Sequence, residues 1–233
     1  MKLTKVYGFA AVLMFAFAAP AVAQAPQSKK EKEAAYVKVV TPRADKIVAT
    51  LGITDSSTYK KVRSIMVDQY WSLSEIHDAR NEKIKAAKAE GLEKAALEAK
   101  IKGYEDEANA KLDKQHKKYL SALKKKLNED QVTKVKDGMT YGVVPITYRG
   151  YVEMLPEMKE EHKQQIMAWL VEAREHAMDA ESSDKKHAWF GKYKGKINNM
   201  LSAAGYDTKT ARAVWEKKLK EREDAARAAK AAH

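Results

Sequence analysis

The chain has 233 residues, a formal net charge of +12 at pH 7 and no cysteine. The lack of cysteine excludes disulfide bonds and membrane attachment through a lipidated cysteine. Lysines alternate with Glu and Asp instead of forming one dense patch, so nucleic acid is not an expected partner. A solvated basic surface or attraction to acidic partners, such as an anionic glycan or an envelope protein, remains open.

The N-terminus has the three parts of a signal peptide. Lys2 and Lys5 precede an uncharged, mainly apolar run over 6–19, and Pro20 precedes the small-residue motif Ala-Val-Ala. This pattern predicts a signal peptide over 1–23, cleaved after Ala23, and a periplasmic or secreted protein. The run is shorter than the roughly 20 residues of a membrane span, and no later segment is apolar enough to be one. We expect a flexible leader over 24–34 and a single helical domain over 35–230.

The first predicted helices come from capping signals and apolar spacing. Thr41 as cap, Pro42 as first residue and Gly52 as stop predict a helix over 42–51. Apolar residues at three- and four-residue steps predict longer helices over 55–89 and 92–126. A break at Gly91 favours an antiparallel hairpin over one continuous rod.

The second half of the chain is predicted to contain shorter helices. Asn128 opens one that ends near Gly138, and others follow over 159–180, 183–204 and 207–229. Between them, 139–156 holds two prolines, two glycines and three tyrosines, which predicts an irregular Tyr-rich loop or a short strand. The expected fold is therefore all-α: a long helical hairpin, this loop and a C-terminal three-helix group.

The Tyr-rich loop is a candidate ligand site. Tyr141, Tyr148 and Tyr151 could stack on sugar rings, and Arg149 could pair with a carboxylate in bidentate fashion. An acidic sugar such as galacturonate would use both properties. The alternative is that the tyrosines cover the helical core and that Arg149 is solvated.

A second candidate site lies on one helix face. Trp169, Glu172 and His176 recur at steps that place them together, and a carboxylate beside a histidine can serve as an acid–base pair. A structural Glu–His pair beside a packed Trp is the alternative. His187 could add a third metal ligand, but the spacing matches no zinc signature, so neither a metal nor a cofactor is expected.

The segment 187–195 combines Trp189 with two glycines four residues apart. Gly191 and Gly195 would each destabilise an exposed helix by about 1 kcal/mol relative to Ala. We expect a neighbouring helix to pack closely against them; the alternative is that a ligand reaches the backbone beside Trp189.

One short motif resembles a chaperone signature. Leu127 and Gln131, with Asn128 between them, resemble the Leu-Thr-x-x-Gln motif of the periplasmic chaperone family that includes Spy and CpxP. The resemblance implies an envelope binder of unfolded clients. A simple helix cap explains the same five residues.

A broader resemblance covers most of the mature chain. The strings TPRADKI, LGITDSSTYKKV, KVKDGMTYGVVPITYRGY and the stretch 155–207 are similar to a family of exported bacterial proteins catalogued as domain of unknown function 3826, which we associate with Bacteroidetes. The resemblance implies a secreted helical domain linked to the use of plant polysaccharide, pectin in particular. It supplies no catalytic residues.

Three functions follow as hypotheses. The first is a non-catalytic accessory or binding protein for an acidic polysaccharide. The second is a Spy-like periplasmic chaperone, and the third is a polysaccharide-active enzyme that uses Glu172 and His176. The sequence indicates neither the oligomeric state nor whether the protein is catalytic.

Overall fold

A computed structural model describes residues 28–231, and this part of the chain is all-α, as predicted, with no strand. The helices are α1 Lys29–Val48, α2 Ser56–Ala89, α3 Lys94–Lys124, α4 Glu129–Met139, α5 Val143–Met154, α6 Glu160–Met178, α7 Ser183–Ala203 and α8 Thr208–Ala231. The predicted signal peptide lies outside the described residues. Within 28–231, no helix is both long and apolar enough to cross a membrane.

Helix α1 begins much earlier than the sequence predicts. Ser28 and Glu31 form a reciprocal capping box that starts the helix at Lys29. Pro42 lies inside α1, and the Thr41 hydroxyl donates a hydrogen bond to the Val37 carbonyl at 2.7 Å instead of capping a new helix. The predicted start at Pro42 is therefore wrong. The predicted leader is helical from residue 29, and its residues 24–27 lie outside the described part.

Helices α2 and α3 form an antiparallel hairpin. Two ion pairs show the antiparallel order, because Lys83 pairs with Glu107 at 2.6 Å and the later Glu90 pairs with the earlier Lys100 at 2.6 Å. The turn between the helices contains Gly91 at φ +68°, a conformation that glycine adopts without steric strain.

The first hydrophobic cluster lies where α1 and α4 pack against the first half of α2 and the last turns of α3. Val62, Met66, Leu123 and Val135 are fully buried in it. Gly138 at the end of α4 lies so close to Ile47 that a Cβ atom would come within 2.8 Å of the Ile47 side chain. Helices α1 and α4 can therefore approach closely only because residue 138 is glycine.

The predicted irregular Tyr-rich loop is wrong over most of its length, because residues 143–154 form α5. Only a short turn separates α4 from α5, and Tyr141 and Gly142 both adopt positive φ in it, at 61° and 65°. Pro145 lies in the first turn of α5, where its missing N–H removes no helical hydrogen bond. The C-terminal group thus contains four helices, α5–α8.

The C-terminal helices enclose a second hydrophobic cluster, which includes Leu170, Phe190, Ile197 and Leu201. A layer of charged residues lies beside α4, between the two clusters. Its closest pairs are Arg174 with Asp137 at 2.8 Å, Lys136 with Glu175 at 2.7 Å and His116 with Asp179 at 2.7 Å. Because these pairs link α6 to α3 and α4, they fix the α6–α7 junction against the first helical group.

Candidate functional site

A cleft of about 930 Å³ opens beside this junction. Helices α1 and α2 form one side, and the end of α4, the α4–α5 turn and the start of α7 form the other. Its most polar or aromatic lining residues are Tyr36, Arg43, Lys46, Tyr70, His77, Asp78, Tyr141, Glu181 and Lys186. The cleft therefore offers positive charge, aromatic rings and hydrogen-bonding groups together.

Lys186 lies in the first turn of α7 and is only 7% exposed. Its ammonium donates a hydrogen bond to the Met139 carbonyl at 2.9 Å and lies 5.9 Å from the centre of the Tyr70 ring. Burial lowers the pKa of Lys186 to about 8, outweighing the opposite effect of Asp179, and the Arg43 guanidinium adds to the lowering. No carboxylate in residues 28–231 lies within salt-bridge distance of this buried amine.

Arg43 and Lys46 project from α1 into the same cleft and are both exposed. Neither forms an ion pair or a side-chain hydrogen bond with another described residue. Two carboxylates also line the cleft: Glu181 pairs with Arg80, and Asp78 accepts a hydrogen bond from Ser74 at 3.2 Å. Because Arg43, Lys46 and Lys186 line the cleft against these two carboxylates, and Arg80 neutralises Glu181, the net charge around the cleft is positive.

Three tyrosines supply the aromatic surface. The Tyr36 hydroxyl donates to the Tyr70 carbonyl at 3.2 Å, and burial raises the pKa of Tyr70 to about 12, so its hydroxyl stays protonated. Tyr141 is 53% exposed at φ 61°, and its ring stacks on His187 with centroids 5.4 Å apart. A non-glycine residue held at positive φ with an exposed ring is typical of a functional position.

The α6–α7 junction is held against α2. His77 Nε2 lies 2.7 Å from the Asp179 carbonyl, which can only accept, so this nitrogen carries the proton. His77 Nδ1 is buried without a hydrogen-bond partner and lies 3.7 Å from the Glu181 carboxylate. Arg80, which lies on α2 like His77, forms an ion pair with Glu181. These contacts fix the wall of the cleft next to Lys186.

In the charged layer behind the cleft, each cation is paired with a carboxylate. Hydrogen bonds to Asp179 and then Glu175 raise the pKa of His116 to about 9. Although burial opposes it, hydrogen bonds from His116 and Lys136 hold the pKa of Glu175 at about 2. No group of three His, Asp or Glu side chains in residues 28–231 is placed to hold a metal ion. This layer is a structural ion network, in contrast to the unpaired cations of the cleft.

Of the residues that the sequence singles out, only Tyr141 lines the cleft in the described part of the chain, and the ring of His187 stacks on it. The other tyrosines of the predicted loop lie on α5, away from the cleft. Tyr151 is buried and its hydroxyl donates to Asn198 at 2.8 Å, whereas Tyr148 packs against the second hydrophobic cluster. Arg149 is exposed. The predicted site around these four residues is therefore not one site, because α5 is helical and turns them in different directions.

The helix-face candidates form a surface row along α6 and α7. His176 stacks on Trp189 with ring centroids 4.4 Å apart, and the Lys196 ammonium lies 4.4 Å from the Trp169 ring centre. Glu172 lies beside the buried Tyr193. No hydrogen bond joins Glu172 to His176 within the described residues, so the predicted acid–base pair is not formed. The row lies outside the lining of the cleft.

Gly191 and Gly195 face open space. A Cβ atom at either position would meet nothing within 4 Å among the described residues. The predicted close approach of a neighbouring helix is therefore wrong. The exposed face of α7 carries these glycines, while its buried face carries the residues that pack on α6.

Four residues that line the cleft were not predicted from the sequence: Arg43, Lys46, Tyr70 and Lys186. One signal could have found Lys186. It precedes Phe190, Tyr193 and Ile197 at helical steps of four, seven and eleven, so a lysine occupies a position on the buried face of α7. A lysine in such a position needs either a partner or a function.

Comparison with known proteins gives one result. No curated protein matches the chain. The model of one family matches residues 37–221, which cover most of the chain and all the lining residues of the cleft except Tyr36. This protein therefore belongs to the family described as Protein of unknown function (DUF3826).

Proposed function

We propose that this protein is an exported binding protein for an acidic sugar or a short acidic glycan, and that the ligand lies in the cleft. The observation that carries the proposal is the convergence of Arg43, Lys46 and Lys186 on one cleft with no carboxylate bound to any of them among residues 28–231. A carboxylated ligand would supply the missing negative charge.

The remaining lining fits the other parts of such a ligand. The exposed ring of Tyr141 offers a face for a sugar ring, and Ser74, Asp78 and Asn81 offer partners for hydroxyl groups. The cleft volume of about 930 Å³ lies at the upper end of the range for ligand pockets, which suits a ligand of a few rings. The predicted signal peptide would bring the protein into contact with extracellular or periplasmic glycans.

The test is calorimetric titration of the protein, without residues 1–23, with oligogalacturonate and with the neutral galactose oligomer of equal length. We expect binding of the acidic oligomer alone. The double variant Arg43→Ala, Lys46→Ala should weaken it on the order of tenfold or more, because charge-assisted hydrogen bonds contribute roughly 1.5–3 kcal/mol each. Arg149→Ala is the matched control, since Arg149 is an exposed arginine on α5 outside the cleft.

Equal affinity for the acidic and the neutral oligomer would contradict the proposal. So would an Arg43→Ala, Lys46→Ala variant that binds as well as the Arg149→Ala control. Rising salt should weaken the binding of the acidic oligomer, because exposed charges at the cleft are screened.

The chaperone hypothesis remains a prediction from sequence, and its motif has a structural role of its own. Asn128 and Gln131 form a reciprocal capping box at the start of α4, with hydrogen bonds of 2.9 and 3.1 Å. The Gln131 side chain also donates to the Leu51 carbonyl at 2.9 Å. These bonds account for both residues without a client protein.

A further inference from the structure

We infer that Lys186 is a reactive amine that condenses with the carbonyl carbon of an aldehyde acid or keto acid bound in the cleft. The open-chain form of a free uronic acid belongs to this class, because it carries an aldehyde and a carboxylate. The inference rests on the proposed function and adds covalent chemistry to it.

Two buried cations of the described part differ in their partners. Arg174 and Lys186 are 6% and 7% exposed, and they are the buried Lys or Arg residues of the described part. Arg174 pairs with Asp137 at 2.8 Å and lies 3.5 Å from Glu175, as a structural buried cation should. The only hydrogen-bond partner of the Lys186 amine among the described residues is the neutral Met139 carbonyl. Ion pairing therefore explains the burial of Arg174 but not that of Lys186.

The Lys186 amine also differs from the Arg174 guanidinium in its position. Lys186 lines a cleft that is open to ligands, whereas Arg174 lies in the closed charged layer. Arg43 lines the same cleft and adds to the lowering of the Lys186 pKa. A lysine in a desolvated site beside another cation is the arrangement that makes an amine nucleophilic near neutral pH. With its pKa lowered to about 8, Lys186 is neutral in about half of the molecules at pH 8, the pH of the labelling test, whereas an ordinary lysine is almost fully protonated there.

The cleft also supplies cations other than Lys186 for a carboxylate. Arg43 and Lys46 lie on α1 and line the same cleft as Lys186, which lies in the first turn of α7. A short acid can therefore direct its carboxylate to these two side chains and its carbonyl carbon to Lys186. This requirement selects ligands with both groups over simple aldehydes.

The reaction balances without an oxidant or a cofactor. The lone pair of the neutral amine forms a C–N bond to the carbonyl carbon as the carbonyl π bond breaks, and a proton passes from nitrogen to oxygen, by way of solvent, to give a carbinolamine. The C–O bond then breaks as the nitrogen gives up its second proton to the departing oxygen, so that one molecule of water leaves and a neutral imine remains. A proton from solvent in the open cleft then protonates the imine nitrogen.

The test uses glyoxylate, which carries an aldehyde and a carboxylate, followed by borohydride reduction of any imine to a stable secondary amine. Peptide mass spectrometry then measures labelling at each lysine at pH 8. We expect Lys186 to be labelled on the order of tenfold faster than Lys185, because an ordinary lysine of pKa about 10.4 is almost fully protonated at this pH. Lys185 is an exposed neighbour and serves as an internal control. Propanal, which lacks the carboxylate, should label Lys186 less selectively than glyoxylate does, because it keeps only the advantage of the lowered pKa.

Lys186→Arg keeps the positive charge but removes the primary amine. We expect this variant to lose labelling at residue 186, whereas Arg149→Ala, outside the cleft, should keep both the labelling of Lys186 and the affinity for oligogalacturonate. If the wild-type protein binds oligogalacturonate but labels Lys186 no faster than Lys185, the reactive-amine inference fails and the proposed function stands. If Lys186 is labelled selectively while no acidic sugar binds, the proposed function fails and the reactive amine stands.

Discussion

Lys186 in the first turn of α7 donates a hydrogen bond to the carbonyl of Met139, the last residue of α4, at 2.9 Å. This bond joins the two helical groups at residues that both line the cleft. It also holds the Lys186 amine in a buried position, and burial disfavours the charged form of this amine. The same contact therefore links the stability of the fold to the chemistry of the cleft.

The first prediction concerns Lys186 and high pH. Its pKa is lowered in the folded state to about 8 from an ordinary value of 10.5, so the unfolded chain binds more protons between these values. The unfavourable contribution is fully present below pH 8 and disappears as pH rises towards 10.5. We expect the free energy of unfolding of the wild type to rise by roughly 2–3 kcal/mol relative to Lys186→Met over this range.

Urea unfolding of both proteins at pH 8 and pH 10 measures this difference. Lys185→Met is the matched control, since residue 185 is exposed and its substitution should not change the pH dependence. A wild-type protein and a Lys186→Met variant with parallel stability profiles would contradict the assignment.

The second prediction concerns His116 and has the opposite sign. Asp179 and Glu175 raise its pKa to about 9 from 6.5, so the folded state binds the extra proton. The stabilisation is fully present below pH 6.5 and is lost as pH rises through about 9. We expect His116→Ala to destabilise the protein by roughly 1–3 kcal/mol more at pH 6 than at pH 9.5.

Urea unfolding at the two pH values checks this prediction. The His162→Ala variant is a suitable control, because His162 lies near Tyr206 and outside the charged layer. An equal loss of stability for His116→Ala at both pH values would show that the ion network does not depend on this proton.

Much of the fold can be predicted from the sequence where local signals are unambiguous. The spacing of apolar residues predicts α2 and α3, and the capping residue Asn128 predicts the start of α4. The errors come from proline. Pro42 reads as a helix start and Pro145 as a helix breaker, yet the first lies within α1 and the second in the first turn of α5. A proline can lie within a helix as well as at its end, and tertiary packing decides which of the two occurs.

The candidate site is less predictable because its residues are distant in the sequence. Arg43, Tyr70 and Lys186 lie on α1, α2 and α7 and meet only after the two helical groups pack together. Helical spacing correctly places Trp169 and His176 on one face of α6, but it cannot show that His176 stacks on Trp189 of α7. Local periodicity shows which residues share one face of a helix, whereas prediction of a cleft requires the relative positions of several helices.

The third prediction compares two glycines in helices. A Cβ atom at Gly138 would lie 2.8 Å from Ile47, so Gly138→Ala should force α1 and α4 apart and destabilise the fold by about 1–3 kcal/mol. Gly191 faces open space, so Gly191→Ala should stabilise α7 by up to about 1 kcal/mol. Thermal unfolding of both variants gives the comparison. Destabilisation by Gly191→Ala would show that the exposed face of α7 has a contact outside residues 28–231.

The fourth prediction separates backbone strain from binding at Tyr141. This residue adopts φ 61°, which glycine tolerates and which is unfavourable by roughly 1–2 kcal/mol for other residues. Tyr141→Ala and Tyr141→Gly both remove the exposed ring that stacks on His187, so both should weaken binding of oligogalacturonate. Only Tyr141→Gly also relieves the strain, so it should be about 1 kcal/mol more stable than Tyr141→Ala.

Calorimetric titration and urea unfolding of these two variants measure the two effects independently. Equal stability of the two variants would mean that the turn relaxes and that positive φ at residue 141 is not imposed by the fold. Wild-type affinity in both would remove the Tyr141 ring from the binding site. If the affinity falls equally in both while the stability differs, the turn between α4 and α5 holds Tyr141 in an unfavourable conformation that serves ligand binding rather than folding.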